Sequence, residues 1–80
     1  MPRYFFNIKK DNLPPDGVGV ELPGLDAACL EAVRVMGEDL KGHPDEFWDD
    51  EEWQIAVSDE RGLVLFTVYS AAMRSSAAPR

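Results

Sequence analysis

The residues of this chain that are best suited to chemistry gather around its single histidine. His43 is followed by the acidic residues Asp45, Glu46 and Asp49. An imidazole with carboxylates could bind a divalent cation, or the histidine could serve as a catalytic base. The segment lacks the alternating aspartates and turn glycine of a calcium loop, and it follows a predicted helix whose C-terminus favours a partly cationic imidazole. We therefore predict no metal ion, no cofactor and no catalytic residue here.

Two further patterns that could carry chemistry have simpler explanations. Cys29 is the only cysteine, and its place in or beside the apolar stripe of the predicted helix favours a small core residue over a reactive thiol. Gly17-Val18-Gly19 precedes a predicted strand rather than a helix and has no lysine after it, so it does not predict a phosphate site. The sequence therefore predicts a protein that is not an enzyme.

Composition narrows the class of protein further. The chain has 80 residues, a net charge of −7 and a hydrophobic content of 45%, which together favour one acidic globular domain. The acidic field disfavours nucleic acid and anionic membranes as partners. The N-terminus lacks the apolar segment of a signal peptide, and no segment is apolar enough to cross a bilayer. We expect a soluble cytoplasmic protein.

One helix between two pairs of strands is the expected architecture. Alternating apolar and polar residues predict strands 1 to 4 at the following positions: Tyr4–Lys9, Val18–Leu22, Trp53–Ser58 and Leu63–Tyr69. The helix is predicted from Ala27 to Lys41, with Asp26 as its N-cap and Pro44 preventing its continuation. The predicted domain covers residues 1–69, and residues 70–80, rich in Ser, Ala, Arg and Pro, are expected to form a frayed tail.

The helix is expected to pack on one face of the sheet. Its predicted apolar stripe consists of Cys29, Leu30, Val33, Met36, Gly37 and Leu40. Leu25 and Leu30 have the spacing of a hydrophobic staple. Gly37 costs helix stability, and we interpret it as a position of close approach to the sheet.

Handedness rules select the order of the strands. If strand 1 lies between strands 2 and 3, every neighbour is antiparallel and the order is 2-1-3-4. The alternative order 1-2-3-4 requires one parallel pair. We predict an α+β fold, β-β-α-β-β, with a four-stranded antiparallel sheet. Its core-facing residues are Phe6, Ile8, Val18, Val20, Leu22, Trp53, Ile55, Val57, Val64, Phe66 and Val68.

Several short motifs occur in a recognisable order. They are Met1-Pro2-Arg3-Tyr4-Phe5-Phe6, Gly19-Val20-Glu21-Leu22-Pro23, Asp26-Ala27-Ala28, Trp53 and Val57-Ser58-Asp59-Glu60-Arg61-Gly62. Through these motifs the chain resembles a family of short, mostly alphaproteobacterial proteins known only as a domain of unknown function. The resemblance implies a small cytoplasmic α+β domain and brings no activity, substrate or cofactor. Many members have a histidine where this chain has Asn7.

The second sheet face and the edge of the sheet are the predicted functional surfaces. Partner binding is assigned to Phe5, Leu63, Leu65, Thr67 and Tyr69. Strand 4 would be an edge strand, apolar on both faces, with no charge, proline or bulge signal to protect it. We predict a homodimer formed through strand 4 or the open face, unless the C-terminal tail covers that surface.

A second hypothesis concerns the acidic segment. Asp45–Glu52 places six carboxylates within eight residues, and we interpret it as a solvated loop. In this alternative the loop binds a basic protein or mimics nucleic acid.

Overall fold

The fold is a four-stranded antiparallel sheet with two helices. The computed structural model describes residues 1–8 and 16–78. Its elements are β1 (Arg3–Ile8), β2 (Val20–Glu21), α1 (Leu25–Gly42), α2 (Pro44–Asp50), β3 (Glu52–Ser58) and β4 (Val64–Ala71). The order across the sheet is β2-β1-β3-β4, and every neighbouring pair is antiparallel. The predicted fold class and strand order are confirmed, although the prediction had one helix. The predicted end of strand 1 at Lys9 lies outside the described residues.

The centre of the sheet is formed by β1 and β3. Phe6 lies opposite Val57, and Ile8 lies opposite Ile55. The β3–β4 hairpin turns through Asp59–Gly62: the Asp59 Oδ1 atom accepts hydrogen bonds from the backbone N–H groups of Arg61 and Leu63. Gly62 has a φ of +84°, a conformation that glycine adopts without strain.

The core lies between this sheet and the helices. Ile55 and Val57 are fully buried, and Trp53 and Tyr4 are nearly so. The predicted core face is therefore confirmed at β1 and β3. It is wrong at the positions that lie at the two edges of the sheet, which are exposed: Val18, Val20 and Val64.

The predicted inner face of α1 is confirmed at Met36 and at Leu40, which packs against the core, and is wrong at Leu30 and Val33. The residues that the helix buries are Ala28, Ala32 and Met36, whereas Leu30 is 76% exposed and Val33 is 62% exposed. The prediction gave weight to large apolar side chains, but alanine lets a helix backbone approach the sheet and still excludes water.

Three details predicted from that stripe are also wrong. Cys29 is exposed rather than in the core. Leu25 and Leu30, the expected staple, are both exposed. A Cβ atom added to Gly37 would meet no atom of the described residues outside the backbone of α1 within 4 Å, so this glycine makes no close approach to the sheet.

The start of α1 also differs from the prediction. The helix begins at Leu25, with Gly24 as the N-cap residue and no side-chain cap. Asp26, the predicted cap, lies in the first turn, where its negative charge still faces the positive end of the helix dipole.

The acidic segment is a helix rather than the predicted solvated loop. Pro44 occupies the first turn of α2, a position where its fixed φ and missing N–H are favourable. Glu51 then ends the helix in the left-handed conformation, with a φ of +61°. The density of charge suggested a loop, but the half-buried Phe47 packs against the core and anchors the helix. Neither α1 nor α2 is long and apolar enough to cross a membrane.

Candidate interaction surfaces

β4 forms one edge of the sheet. It contains eight residues, Val64–Ala71, without a charge or a proline. β3 pairs with its inner side, and no strand in the described part of the chain pairs with its outer side. Alternate N–H and C=O groups along an antiparallel edge point outward, which makes such a strand a template for another strand.

The beginning of β4 is irregular. Val57 lies opposite Phe66, but Ser58 lies opposite Val64, so Leu65 is an extra residue in the ladder. A bulge of this kind increases the twist and disturbs edge pairing. The prediction that strand 4 has no protecting feature is therefore wrong at this end. From Phe66 to Ala71 the pairing with β3 is regular.

The bulge also changes the face of Val64. Ser58 lies opposite both Val64 and Phe5, and opposed residues of a sheet share a face. Val64 therefore lies on the open face, which explains its 56% exposure. Alternation alone could not find this, because one inserted residue reverses the inward and outward pattern beyond it.

The predicted partner-binding residues are only partly gathered on one surface. Thr67 and Tyr69 lie opposite Ala56 and Gln54, on the open face that also contains Phe5. Phe5 is half-buried. Leu63 and Leu65 lie outside the regular part of the ladder: Leu63 belongs to the hairpin turn, where it bonds to Asp59, and Leu65 is the bulge residue.

The open face is more polar than the sequence suggested. The Tyr69 hydroxyl donates a 2.7 Å hydrogen bond to the Glu52 carboxylate. This hydrogen bond raises the pKa of Tyr69 above its usual value. Ala56 and Ser58 are buried between their neighbours rather than offered to solvent. The face is therefore a mixed surface, and the apolar edge is its more distinctive feature.

The opposite edge of the sheet is built differently. β2 has only two residues, and its Glu21 is bonded to Arg3 of β1 at 2.7 Å. The Asp16 carboxylate accepts hydrogen bonds from the backbone N–H groups of Phe6, Val18 and Gly19. A short, charged edge is the usual protection against unwanted strand pairing.

The backbone of Asp16 is also hydrogen-bonded to β1. Its backbone N–H donates a 2.7 Å hydrogen bond to Asn7 Oδ1. Burial raises the pKa of Asp16, but the three backbone hydrogen bonds outweigh it, so the pKa lies below the ordinary value. Asn7 therefore has a structural role here.

The acidic helix α2 presents a second candidate surface. Asp45, Glu46, Asp49 and Asp50 are exposed along it. Behind it, the Phe47 and His43 rings each lie 6.1 Å from the Trp53 ring, between centroids. The His43 ring is thus part of an aromatic cluster at the end of α1, and its Nδ1 lies 3.2 Å from the Asp39 carbonyl oxygen.

The segment after β4 runs back beside α2. The Ala72 N–H donates to the Glu51 carbonyl, and the Arg74 guanidinium lies 4.8 Å from the centroid of the Trp48 ring. Sequence analysis missed this contact, since no local pattern relates a tail arginine to a tryptophan 26 positions earlier. No group of three His, Cys, Asp or Glu side chains in the described residues is arranged to hold a metal ion.

Comparison with known proteins identifies the family of the chain. The family model described as domain of unknown function (DUF6894) matches residues 3–71. The match spans the whole sheet and both helices. Neither a curated protein nor a solved structure shows significant similarity to the chain.

Proposed function

The chain belongs to the DUF6894 family, a domain of unknown function, and we therefore propose a function from the geometry: a non-enzymatic interaction module that self-associates through the outer edge of β4.

The difference between the two sheet edges carries this proposal. β2 is two residues long and held by the Arg3–Glu21 ion pair, while β4 is eight residues long and uncharged. Proteins that stay monomeric protect long apolar edges with charge, proline or a covering segment. Among the residues that the structure describes, only the bulge at Leu65 protects β4, and it leaves Phe66–Ala71 regular.

A second copy of β4 can form hydrogen bonds with the backbone N–H and C=O groups of this stretch that point away from β3. The regular stretches of two chains pair antiparallel about a two-fold axis at Val68, which keeps opposed residues on one face of the sheet. The result is a continuous eight-stranded sheet with the helices of both chains on one side. Leu65 then lies beyond the paired stretch, and Thr67 lies within it.

A lysine in the regular stretch tests the pairing. Thr67→Lys places a charged side chain on the open face beside the axis, where it meets the like charge of the partner. Thr67 is exposed, so the variant should fold as the wild type does. The expected result is a molar mass by light scattering, at micromolar concentration, that is half the wild-type value.

Two variants with the same charge change serve as controls. Val18→Lys lies at the opposite edge of the sheet and is 76% exposed in the structure; it should leave the mass unchanged. Leu65→Lys, at the bulge, should weaken association less than Thr67→Lys does. A wild-type mass of 8.9 kDa, that of one chain, or equal effects of Thr67→Lys and Val18→Lys, would refute the proposal.

The exposed carboxylates of α2 support a second candidate function, the binding of a basic protein. Asp49 and Asp50 lie in the last turn of the helix, where the dipole disfavours negative charge. A basic partner would relieve that repulsion. Salt-sensitive binding of polylysine that is lost on replacing Asp45, Glu46, Asp49 and Asp50 with their amides, while the β4 association persists, would support this candidate.

The proposal includes a cytoplasmic setting. Cys29 is an exposed free thiol, and such a thiol is stable in a reducing compartment.

A further inference from the structure

The outer face of α1 carries a seam, apolar at its centre, that the β4 interface does not use. Asp26, Leu30, Val33 and Gly37 follow one another at intervals of four, three and four residues, the spacing of a helix–helix seam. These positions lie on the side of α1 away from its buried residues Ala28, Ala32 and Met36. We propose that this seam binds the same seam of a second copy of the chain, with the two helices antiparallel.

The exposure of two aliphatic side chains on this face supports the presence of a partner. α1 buries Ala28, Ala32 and Met36 and packs Val35 and Leu40 against the core, while its Leu30 and Val33 side chains are 76% and 62% exposed. Exposed apolar side chains that are grouped on one face of a helix mark a surface that binds a partner. The exposed Cys29 lies beside Val33 and extends the apolar surface.

Charge complementarity favours a second copy in the antiparallel orientation. Asp26 lies in the first turn of α1 and Lys41 in the last. With a two-fold axis at Val33, each Asp26 lies beside the Lys41 of the other helix, at both ends of the pair. A parallel pair would instead place like charges together.

The charges along the side of the seam are compatible with this pairing. Arg34 is bonded to Glu31 and, at 2.8 Å, to Glu38. The two arginines that come closest to the axis are thus each neutralised within their own chain and can exchange glutamates across the interface.

Gly37 acquires a role in this arrangement. It costs helix stability, yet no atom of the described residues outside the backbone of α1 lies within 4 Å of the position of its Cβ atom. With the axis at Val33, Gly37 lies opposite Cys29 of the other copy. The missing side chain gives the partner's thiol room to pack, and the helix axes can approach closely.

Cross-linking at the axis tests the interface directly. In the Cys29→Ser background, Val33→Cys should give a disulfide-linked dimer in more than half of the chains under mild oxidation, because the two thiols face each other. Cys29→Ser with Arg61→Cys, at the tip of the β3–β4 turn, reports random collision and should give less than one tenth of that yield. Equal yields would overturn the proposal.

Molar mass separates this interface from the one at β4. Val33→Lys places two lysines at the axis, improves helix propensity and should halve the wild-type mass. Thr67→Lys should also halve it, and the double variant should have one quarter of it. If Val33→Lys leaves the mass unchanged, the seam is not an interface, whatever Thr67→Lys does. If Thr67→Lys alone has no effect, the seam stands and the β4 proposal fails.

Discussion

At the scale of single residues, Gly19 shows how closely the start of β2 is fitted to β1. Its φ is +73°, and a Cβ atom there would lie 2.9 Å from the Arg3 and Phe5 side chains and 3.0 Å from the Tyr4 carbonyl oxygen. Gly19→Ala therefore combines backbone strain with overlap. We expect it to lower the free energy of unfolding by about 1–3 kcal/mol in a urea titration.

Gly17 provides the matched control. It lies two residues earlier, and apart from its chain neighbours no atom of the described residues lies within 4 Å of the position of its Cβ atom. Gly17→Ala should change the free energy of unfolding by less than about 0.5 kcal/mol. Equal effects at the two glycines would contradict the described packing of Gly19.

Asp16 should make stability depend on pH in the acid range. Its pKa is lowered in the folded state from an ordinary value of 3.8 by backbone hydrogen bonds that outweigh desolvation. The carboxylate therefore stabilises the fold above pH 3.8, and this contribution is lost as the pH falls through the folded-state pKa.

A pair of variants isolates this effect. Asp16→Asn should lose stability at about pH 6, and its melting temperature should fall less steeply than that of the wild type as the solution is acidified. Glu60→Gln, in the exposed β3–β4 turn, should leave the acid dependence unchanged. If the melting temperatures of Asp16→Asn and the wild type fall equally steeply on acidification, the three hydrogen bonds do not favour the charged form of Asp16.

At the scale of elements, the sheet could be predicted from the sequence, and the inner face of α1 could be predicted only in part. Alternation in β1 and β3 identified the core because each apolar side chain on the inner face is large and the period is strict. In α1 the helical period correctly selected Met36, but it also selected Leu30 and Val33, whereas Ala28 and Ala32 occupy the interface with the sheet. Hydrophobicity measures the free energy that burying a side chain would contribute. It does not measure whether that side chain fits in the narrow space between a helix and a sheet.

The edge of the sheet shows a second limit. The bulge at Leu65 depends on how β3 and β4 pair, so it could not be predicted from the residues of β4 alone. The same holds for the contact between Arg74 and Trp48. Of the predicted site, Thr67 and Tyr69 lie in the regular stretch of β4, and Leu63 and Leu65 do not.

A substitution at Gly37 separates two interpretations of this residue: close packing against the sheet, or an open position on the outer face of α1. Since no described residue crowds its Cβ position, Gly37→Ala should raise the free energy of unfolding by about 1 kcal/mol through helix propensity. In so small a domain this corresponds to about 4–8 °C in melting temperature.

This measurement belongs in the Val33→Lys background, so that association through the seam does not contribute. Gly17→Ala, outside any helix, is again the control. A loss of stability in Gly37→Ala would restore the interpretation that Gly37 packs closely against the sheet.

At the scale of the whole molecule, the two proposed surfaces have different geometries. Pairing through β4 extends the sheet sideways, and pairing through α1 stacks one helix layer on another. Two different two-fold interfaces on one chain can close into a tetramer with D2 symmetry. The net charge of −7 would then accumulate on the assembly and make its stability increase with salt.

The most direct test of the account is hydrogen exchange along β4. In an unpaired edge strand, the amides of Phe66–Ala71 that point away from β3 exchange rapidly, while those bonded to β3 are protected. We predict that the outward amides become protected in the wild type as concentration rises through the micromolar range. Their protection should disappear in Thr67→Lys while the inward amides keep theirs. Outward amides that exchange rapidly at every concentration would contradict the account.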